Sequence, residues 1–222
     1  MTLPQYLQED GSGSYSSYRV PDLTPPAGVA TELLLVLESP HIDELRNGIP
    51  VSGGTGQAAL KFLLPAGFPP EALGPFVATR HANNDFRIAI LNVSPVPLQR
   101  KAFAGHRSPP KLAPDDWAVM AEIQKSQAKE VADLGSVGAQ TANMLLAPGL
   151  QSRIGRMTLS PRALIFTAGT FVQRTWTLLL SPPSRSTLPI PHPSMGWWTR
   201  TERAEHILNL AELRTQFAKG IT

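Results

Sequence analysis

The chain contains no cysteine, and this absence excludes several kinds of chemistry. Without thiols the protein forms no disulfide bond, holds no iron–sulfur cluster through thiolates and uses no cysteine nucleophile. The redox state of its compartment is left open by the same observation.

Long hydrophobic runs are lacking as well. No apolar stretch approaches the roughly 20 residues that a membrane-spanning helix needs, and residues 1–10 lack the basic and then apolar pattern of a signal peptide. We therefore expect a soluble, cytoplasmic protein with no membrane partner. The formal net charge is +3, which permits a polyanionic partner without requiring one.

What the sequence does contain fits one folded domain. Its 222 residues, 42% of them hydrophobic, can bury one substantial core. Residues 1–28 are rich in Gly, Ser, Tyr and Pro and show no helical or strand periodicity, so we expect a partly irregular extension that wraps the surface or stays partly mobile. Residues 29–222 are predicted to form a single α/β domain, which we expect to be a monomer.

Apolar runs alternate with helical patterns along this domain. Strands are predicted at 33–37, 87–91, 163–167 and 188–190, and helices at 57–64, 114–132, 134–146, 170–179 and 201–217. Alternating strands and helices indicate a parallel sheet with right-handed crossovers. The predicted fold is a three-layer α/β/α sandwich around a central four-stranded parallel sheet.

Ionisable side chains follow two of the predicted strands in loops that contain proline. Glu38 and His41 follow the first strand, and His192 follows the fourth between two prolines. Proline fixes its own φ and restricts the preceding residue, so these loops are held extended. Because ligands bind beyond the carboxyl ends of parallel strands, the three side chains are predicted to surround one substrate.

The strand-end segments, taken in order, resemble those of the uracil-DNA glycosylase superfamily. The segments that carry the resemblance are 37–41, 50–57, 91–93, 165–169 and 191–194. The resemblance implies that His192 stabilises a departing base and that Asn92 hydrogen-bonds the edge of a flipped base. It also implies DNA as the partner.

The chain departs from the family pattern at three positions. Ser39 stands where the uracil-specific branch has the water-activating aspartate, and His41 stands where that branch has a tyrosine that excludes larger pyrimidines. Val51 stands where the iron–sulfur branch has a phenylalanine that stacks on the base. A wider pocket is therefore expected. Some members of the superfamily act on modified cytosines in phage DNA, so the resemblance implies a uracil-like or modified pyrimidine as the substrate and leaves both repair and antiviral defence open.

The chemistry of glycosidic cleavage assigns roles to the candidate residues. Positive charge develops on the sugar and negative charge on the base. The site therefore needs a carboxylate near the sugar and a hydrogen-bond donor near the base. Glu38 is predicted to orient water and stabilise the sugar, and His192 to donate to the leaving base. No lysine lies in the strand-end loops, which favours a monofunctional hydrolase that leaves an abasic site. No cofactor or metal is expected.

The remaining predicted site residues fall into two groups. Residues predicted to contact the base or sugar are Ser39, Pro40, His41, Val51, Asn92 and Ser194. Residues predicted to contact DNA are Gly53, Gly54, Thr55, Arg100, Lys101, Arg107, Met195, Trp197, Trp198 and Arg200. The glycines would let the backbone approach DNA, the apolar group at 195–198 would fill the gap left by a flipped base, and the cations would bind phosphates.

Other interpretations stay open at this point. Ser39 at the aspartate position also fits a catalytically silent nucleic-acid-binding module with the same fold. A small-molecule hydrolase is a third interpretation, which the flanking arginines disfavour. Ser126 and Lys129 have the spacing of a serine–lysine nucleophile, but they fall in a predicted surface helix without partners.

Overall fold

A four-stranded parallel sheet forms the centre of the molecule. The computed structural model of the chain describes residues 2–8, 16–64, 71–183 and 186–220. Its strands are β1 (Ala30–Leu37), β2 (Ile88–Asn92), β3 (Thr158–Ala168) and β4 (Thr187–Ile190), in the spatial order β2-β1-β3-β4. Every pairing is parallel, which confirms the predicted sheet.

Helices cover both faces of this sheet. In chain order the described helices are α1 (Leu3–Leu7), α2 (Ile42–Asn47), α3 (Gly54–Leu63), α4 (Leu73–Ala82), α5 (Pro114–Lys125), α6 (Val137–Gly155), α7 (Thr170–Trp176), α8 (Trp197–Arg200) and α9 (Ala204–Lys219). None of them is both long and apolar enough to cross a bilayer.

Two hydrophobic cores separate the three layers. The first core packs α1, α5, α6 and α7 against side chains such as Leu34 and Val36 of β1. The second core packs α3, α4, α8 and α9 against Leu33, Leu35 and Leu37. Successive side chains of a strand point to opposite faces, so a run that is apolar at every position feeds both cores. The predicted α/β/α sandwich is the observed fold.

Single side chains from the described parts of the N-terminal segment, residues 2–8 and 16–28, reach into the core. Tyr6 is fully buried, and its hydroxyl donates to the Pro97 carbonyl at 2.6 Å. Leu23 pairs with Ile90 as an antiparallel bridge at the outer edge of β2. The weak periodicity of residues 1–28 concealed these contacts because they are made by single side chains.

Helix boundaries differ from the prediction in several places, and the largest extension is in α6, which spans Val137–Gly155 where 134–146 was predicted. The short helices α2 and α4 were not predicted, and α5 ends at Lys125 instead of continuing to residue 132. The carbonyls that follow are used elsewhere, since the Arg174 guanidinium donates to those of Ser126 and Ala128. Ser126 therefore lies in a turn, where its hydroxyl accepts from the Ala128 N–H, and not in a surface helix.

Candidate active site

The parallel sheet brings the ends of β1 and β2 together and fixes the backbone of Glu38. Leu37 pairs with Asn92, and beyond the strands the Val93 N–H donates to the Leu37 carbonyl at 2.8 Å. The Ser94 N–H donates to the Glu38 carbonyl at 3.0 Å. Glu38 is therefore held as an extension of the ladder, as expected for a site at the carboxyl edge of a parallel sheet.

Gly169 is the point at which Glu38 and His192 meet. This glycine joins β3 to α7 with φ of +95°, and its N–H donates to the Ile190 carbonyl at 2.9 Å. A Cβ placed on Gly169 would lie 3.0 Å from Glu38 Oε1 and 3.4 Å from His192 Cβ. Glu38 Oε1 and the Cβ of His192 therefore both border the position in front of the Gly169 Cα, which we call the space at Gly169, and the two strand-end loops come together there.

The orientation of His192 follows from its hydrogen bonds. Its Nδ1 accepts from the Ser194 N–H at 3.2 Å and lies 2.8 Å from the Ser194 hydroxyl. A backbone N–H is always a donor, so Nδ1 is unprotonated and the ring proton is on Nε2. Burial lowers the pKa of His192 to about 4. At neutral pH the ring is therefore neutral and carries one donor, Nε2–H.

Glu38 shows the opposite shift. Burial raises the pKa of this carboxyl to about 7, and the positive charge of Arg174 offsets only part of that rise. Among the described residues no group donates a hydrogen bond to the Glu38 carboxylate. A carboxyl with a pKa near neutrality can hold or release a proton at physiological pH, which suits a general base.

Arg174 was not predicted as part of the site, yet it organises one wall of it. The side chain is fully buried and donates to Asn143 Oδ1 at 2.8 Å and to the Ala128 carbonyl at 2.6 Å, and also to the Ile123 carbonyl. These bonds fix the turn after α5. An arginine in a helical pattern indicates a solvated face, so no pattern in the sequence points to this role.

Two glutamines, Gln124 in the last turn of α5 and Gln127 in the turn after it, contact the loops at the strand ends. Gln124 donates from Nε2 to Ser39 Oγ at 3.1 Å, and Gln127 Oε1 accepts from the Thr170 hydroxyl at 3.4 Å. Ser39 is thus an acceptor with its own partner. It cannot replace the missing aspartate as a base, because an alkyl hydroxyl is far less acidic than a carboxyl.

Asn92 lies at the end of β2 with an unpaired amide. Its side chain is 2% exposed, and Nδ2 has no hydrogen-bond partner among the described residues. Asn92 continues the alternation of Ile88 and Ile90 on the second core, whereas Glu38 continues that of Leu34 and Val36 on the first. The two side chains therefore leave the sheet edge on opposite sides. The base-reading role stays a prediction.

A second buried carboxyl, Glu44, holds the loop around His41. It accepts from the His41 N–H at 2.6 Å and from the Val51 N–H, and burial raises its pKa to about 7. Val51 has φ of +52°, an unusual conformation for a β-branched residue, and its side chain packs in the second core. Burial lowers the pKa of His41, and the positive charge of the nearby Lys101 lowers it further.

The apolar segment after His192 divides into exposed and buried parts. Met195 is 75% exposed and Trp197 44% exposed, and the Arg200 guanidinium lies 5.5 Å from the Trp197 ring centroid. Trp198 is 4% exposed, and its indole N–H donates to the Pro191 carbonyl at 2.8 Å. The prediction that Trp198 contacts DNA therefore has to be corrected: it anchors the His192 loop, and Met195 and Trp197 form the exposed surface.

The glycine-rich start of α3 is a poorer phosphate site than predicted. A Cβ on Gly53 would lie 2.5 Å from Asp43 Oδ2, so a carboxylate already lies against this helix N-terminus. Like charges repel, which argues against the predicted phosphate contacts of Gly53, Gly54 and Thr55. Pro40 is buried beneath the loop that precedes α2.

The basic residues predicted to bind DNA are on the surface. Arg100, Lys101 and Arg107 are exposed, and the turn Arg100–Phe103 packs against α2. This contact connects the basic turn to the loop of His41. No group of three or more His, Asp or Glu side chains in the described ranges is arranged to hold a metal ion.

No protein-family model and no curated protein matches the chain. The function therefore has to be inferred from the site. A carboxyl whose pKa burial raises to about 7 and a histidine whose ring is neutral at pH 7 both lie against Gly169, and such a pair can act on a bond whose two ends develop opposite charges.

Proposed function

We propose that the protein is a monofunctional DNA glycosylase. It hydrolyses the N-glycosidic bond of a flipped, uracil-like or modified pyrimidine and leaves an abasic site. The observation that carries the proposal is the meeting of Glu38 and His192 at Gly169. The resemblance of the strand-end segments to the uracil-DNA glycosylase superfamily points to the same reaction.

In the proposed reaction the carbon–nitrogen bond between sugar and base breaks, and its electron pair leaves with the base. Ionised Glu38 stabilises the positive sugar and takes a proton from the water that attacks the anomeric carbon. His192 donates a hydrogen bond from Nε2 to the oxygen that gains negative charge on the base. The base anion then takes a proton from solvent, and Glu38 returns its proton to solvent.

The electrostatics of the pair support these roles. A neutral imidazole stabilises a developing anion by donating a hydrogen bond from its N–H. No proton has to be transferred to or from the ring. With a pKa of about 7, Glu38 is ionised in a substantial fraction of molecules at neutral pH. A base that lies across the sheet edge would pass between Glu38 and Asn92, whose free Nδ2 offers a donor to a carbonyl on the base edge.

The decisive experiment supplies duplexes with uracil, with phage-type modified cytosines or with normal bases. We expect the protein to release a base, detected by mass spectrometry, and to leave alkali-labile sites. E38Q should keep DNA affinity and lose base release, whereas E205Q, which removes an exposed carboxylate on α9, should behave as the wild type.

The alternative is a binding module without activity. It would be supported if the wild type releases no base from any of these duplexes but binds DNA with a salt-sensitive affinity that E38Q leaves unchanged. The absence of any salt-sensitive DNA affinity would instead favour a small-molecule hydrolase.

A further inference from the structure

A second hollow lies beside the basic turn at 100–103. It has a volume of about 430 Å³, is open to the surface and is bordered by that turn, the loop 109–112 and the first turn of α5. Glu38 and His192 do not line it. Its size falls in the range of small-molecule and nucleotide sites.

The walls of this hollow are largely apolar and partly aromatic. Phe103 and Trp117 line it, with ring centroids 5.9 Å apart and planes at 63°. Pro109, Pro110 and Pro114 complete the walls, and proline has no N–H to donate. Such walls favour a planar group without reading its hydrogen-bonding edge.

Two cations lie at the rim. Arg100 and Lys111 are exposed, and neither makes an ion pair or a side-chain hydrogen bond with the described residues. Asp115 and Asp116 each stand next to a wall residue in sequence, but neither lines the hollow, and Asp116 accepts from the Ala113 N–H. The charge therefore favours an anionic ligand.

We propose that the hollow is a stacking site for one base of a single nucleic-acid strand, with Arg100 and Lys111 on its phosphates. Aromatic and apolar walls with flanking cations are what sequence-independent binding of a single strand requires. The choice of nucleic acid rests on the proposed function. Arg100 precedes Lys101, which lies near His41, so a strand that enters the candidate active site passes this turn.

The test measures binding of fluorescent oligothymidylate by anisotropy, compared with an abasic oligomer of equal length. The variant A104E fills the hollow from an exposed wall residue and adds a negative charge without altering the core. R100A/K111A removes the rim charges. The matched control R156A/R162A removes two exposed charges near the start of β3, at the opposite end of that strand from Gly169.

We expect A104E and R100A/K111A to weaken oligothymidylate binding about tenfold or more, and the control to change it less than about twofold. The wild type should bind the abasic oligomer at least about tenfold more weakly, because stacking is lost. Loss of the two cations should also reduce the slope of log affinity against log salt by about 0.7 for each lost phosphate contact.

The inference is overturned if A104E binds oligothymidylate as the wild type does, or if the abasic oligomer binds equally well. If A104E loses binding of an acidic, proline-rich peptide but keeps binding of oligothymidylate, the hollow is assigned to a protein partner. That result would also overturn the inference. Failure of the proposed function is a separate result: oligothymidylate binds in the hollow, but no duplex loses a base.

Discussion

Glu38 and Glu44 lie six residues apart, and burial raises the pKa of both carboxyls to about 7. Their surroundings differ. Glu44 accepts from the backbone N–H groups of His41 and Val51, whereas Glu38 accepts no hydrogen bond from the described residues and borders the space at Gly169. A raised pKa alone therefore does not distinguish a structural carboxyl from a chemical one.

The useful distinction is whether the carboxylate already has its hydrogen-bond partners. Glu44 uses both oxygens to hold a loop with an unusual backbone conformation at Val51. Glu38 keeps its oxygens available to a substrate, and the buried cation Arg174 moderates the cost of ionising it. The comparison predicts that changes at the two carboxyls have different consequences for rate and for stability.

The largest effect is expected for Gly169→Ala. The new methyl group would lie 3.0 Å from Glu38 Oε1 and 3.4 Å from His192 Cβ, so it would push the two side chains apart. A misplacement of about 1 Å can lower a rate roughly 100-fold, and we expect at least that loss in single-turnover base release.

Gly28→Ala is the control for Gly169→Ala, because it introduces the backbone strain of a positive φ without any contact to Glu38 or His192. Gly28 also has a positive φ, of +83°, but a Cβ there meets no atom within 4 Å. G28A should lose a similar amount of stability, about 1–2 kcal/mol, and keep the wild-type rate. Equal rates for G169A and wild type would show that the space at Gly169 is not the site of chemistry.

The pH dependence of the rate should be the next largest effect. A base with a pKa of about 7 must be ionised, so the rate should rise with pH through about 7 and be roughly 30-fold lower at pH 5.5 than at its plateau. The pKa of His192 is about 4, so the ring stays neutral throughout this range.

Because Glu44 has a similar pKa, E44Q is the control for this profile. The rise near pH 7 should persist in E44Q, whose side chain has nearly the same shape as glutamate. If the rise disappears in E44Q, Glu44 and not Glu38 controls the rate.

The sequence predicted where the strands lie and that they pair in parallel, but it did not predict the side-chain directions in the loops and short helices. Apolar runs located all four strands, and parallel pairing alone brought Glu38 near His192. The burial of Trp198, the carboxylate of Asp43 against Gly53 and the inward path of Arg174 depend on how turns and short helices pack. Local composition does not encode these directions.

Substitutions at the two carboxyls should change the free energy of unfolding in opposite directions. E44A removes the acceptor of two backbone N–H groups and should lower the free energy of unfolding by about 1–3 kcal/mol. For Glu38 the folded-state pKa lies above the ordinary value, so its contribution to stability is fully present below about pH 4.5 and is lost as pH rises through about 7.

E38Q should therefore be more stable than wild type at pH 8 by on the order of 1–3 kcal/mol, and nearly equal to it at pH 4.5. Urea denaturation at the two pH values measures this difference. A lower stability of E38Q at pH 8 would mean that Glu38, like Glu44, is a structural carboxyl.

The smallest effect on stability is expected at Asn92, because its Nδ2 has no partner to lose among the described residues. Removing an unpaired buried polar group leaves no other group unsatisfied, so N92A should change the free energy of unfolding by less than about 1 kcal/mol. If the amide reads the flipped base, N92A should lower kcat/KM several-fold and reduce discrimination between pyrimidines.

Asn143→Ala is the contrasting variant, because that buried amide donates to Thr175 Oγ1 and accepts from Arg174. N143A should lose stability without a change in base preference, and the same result for N92A would make Asn92 a structural residue.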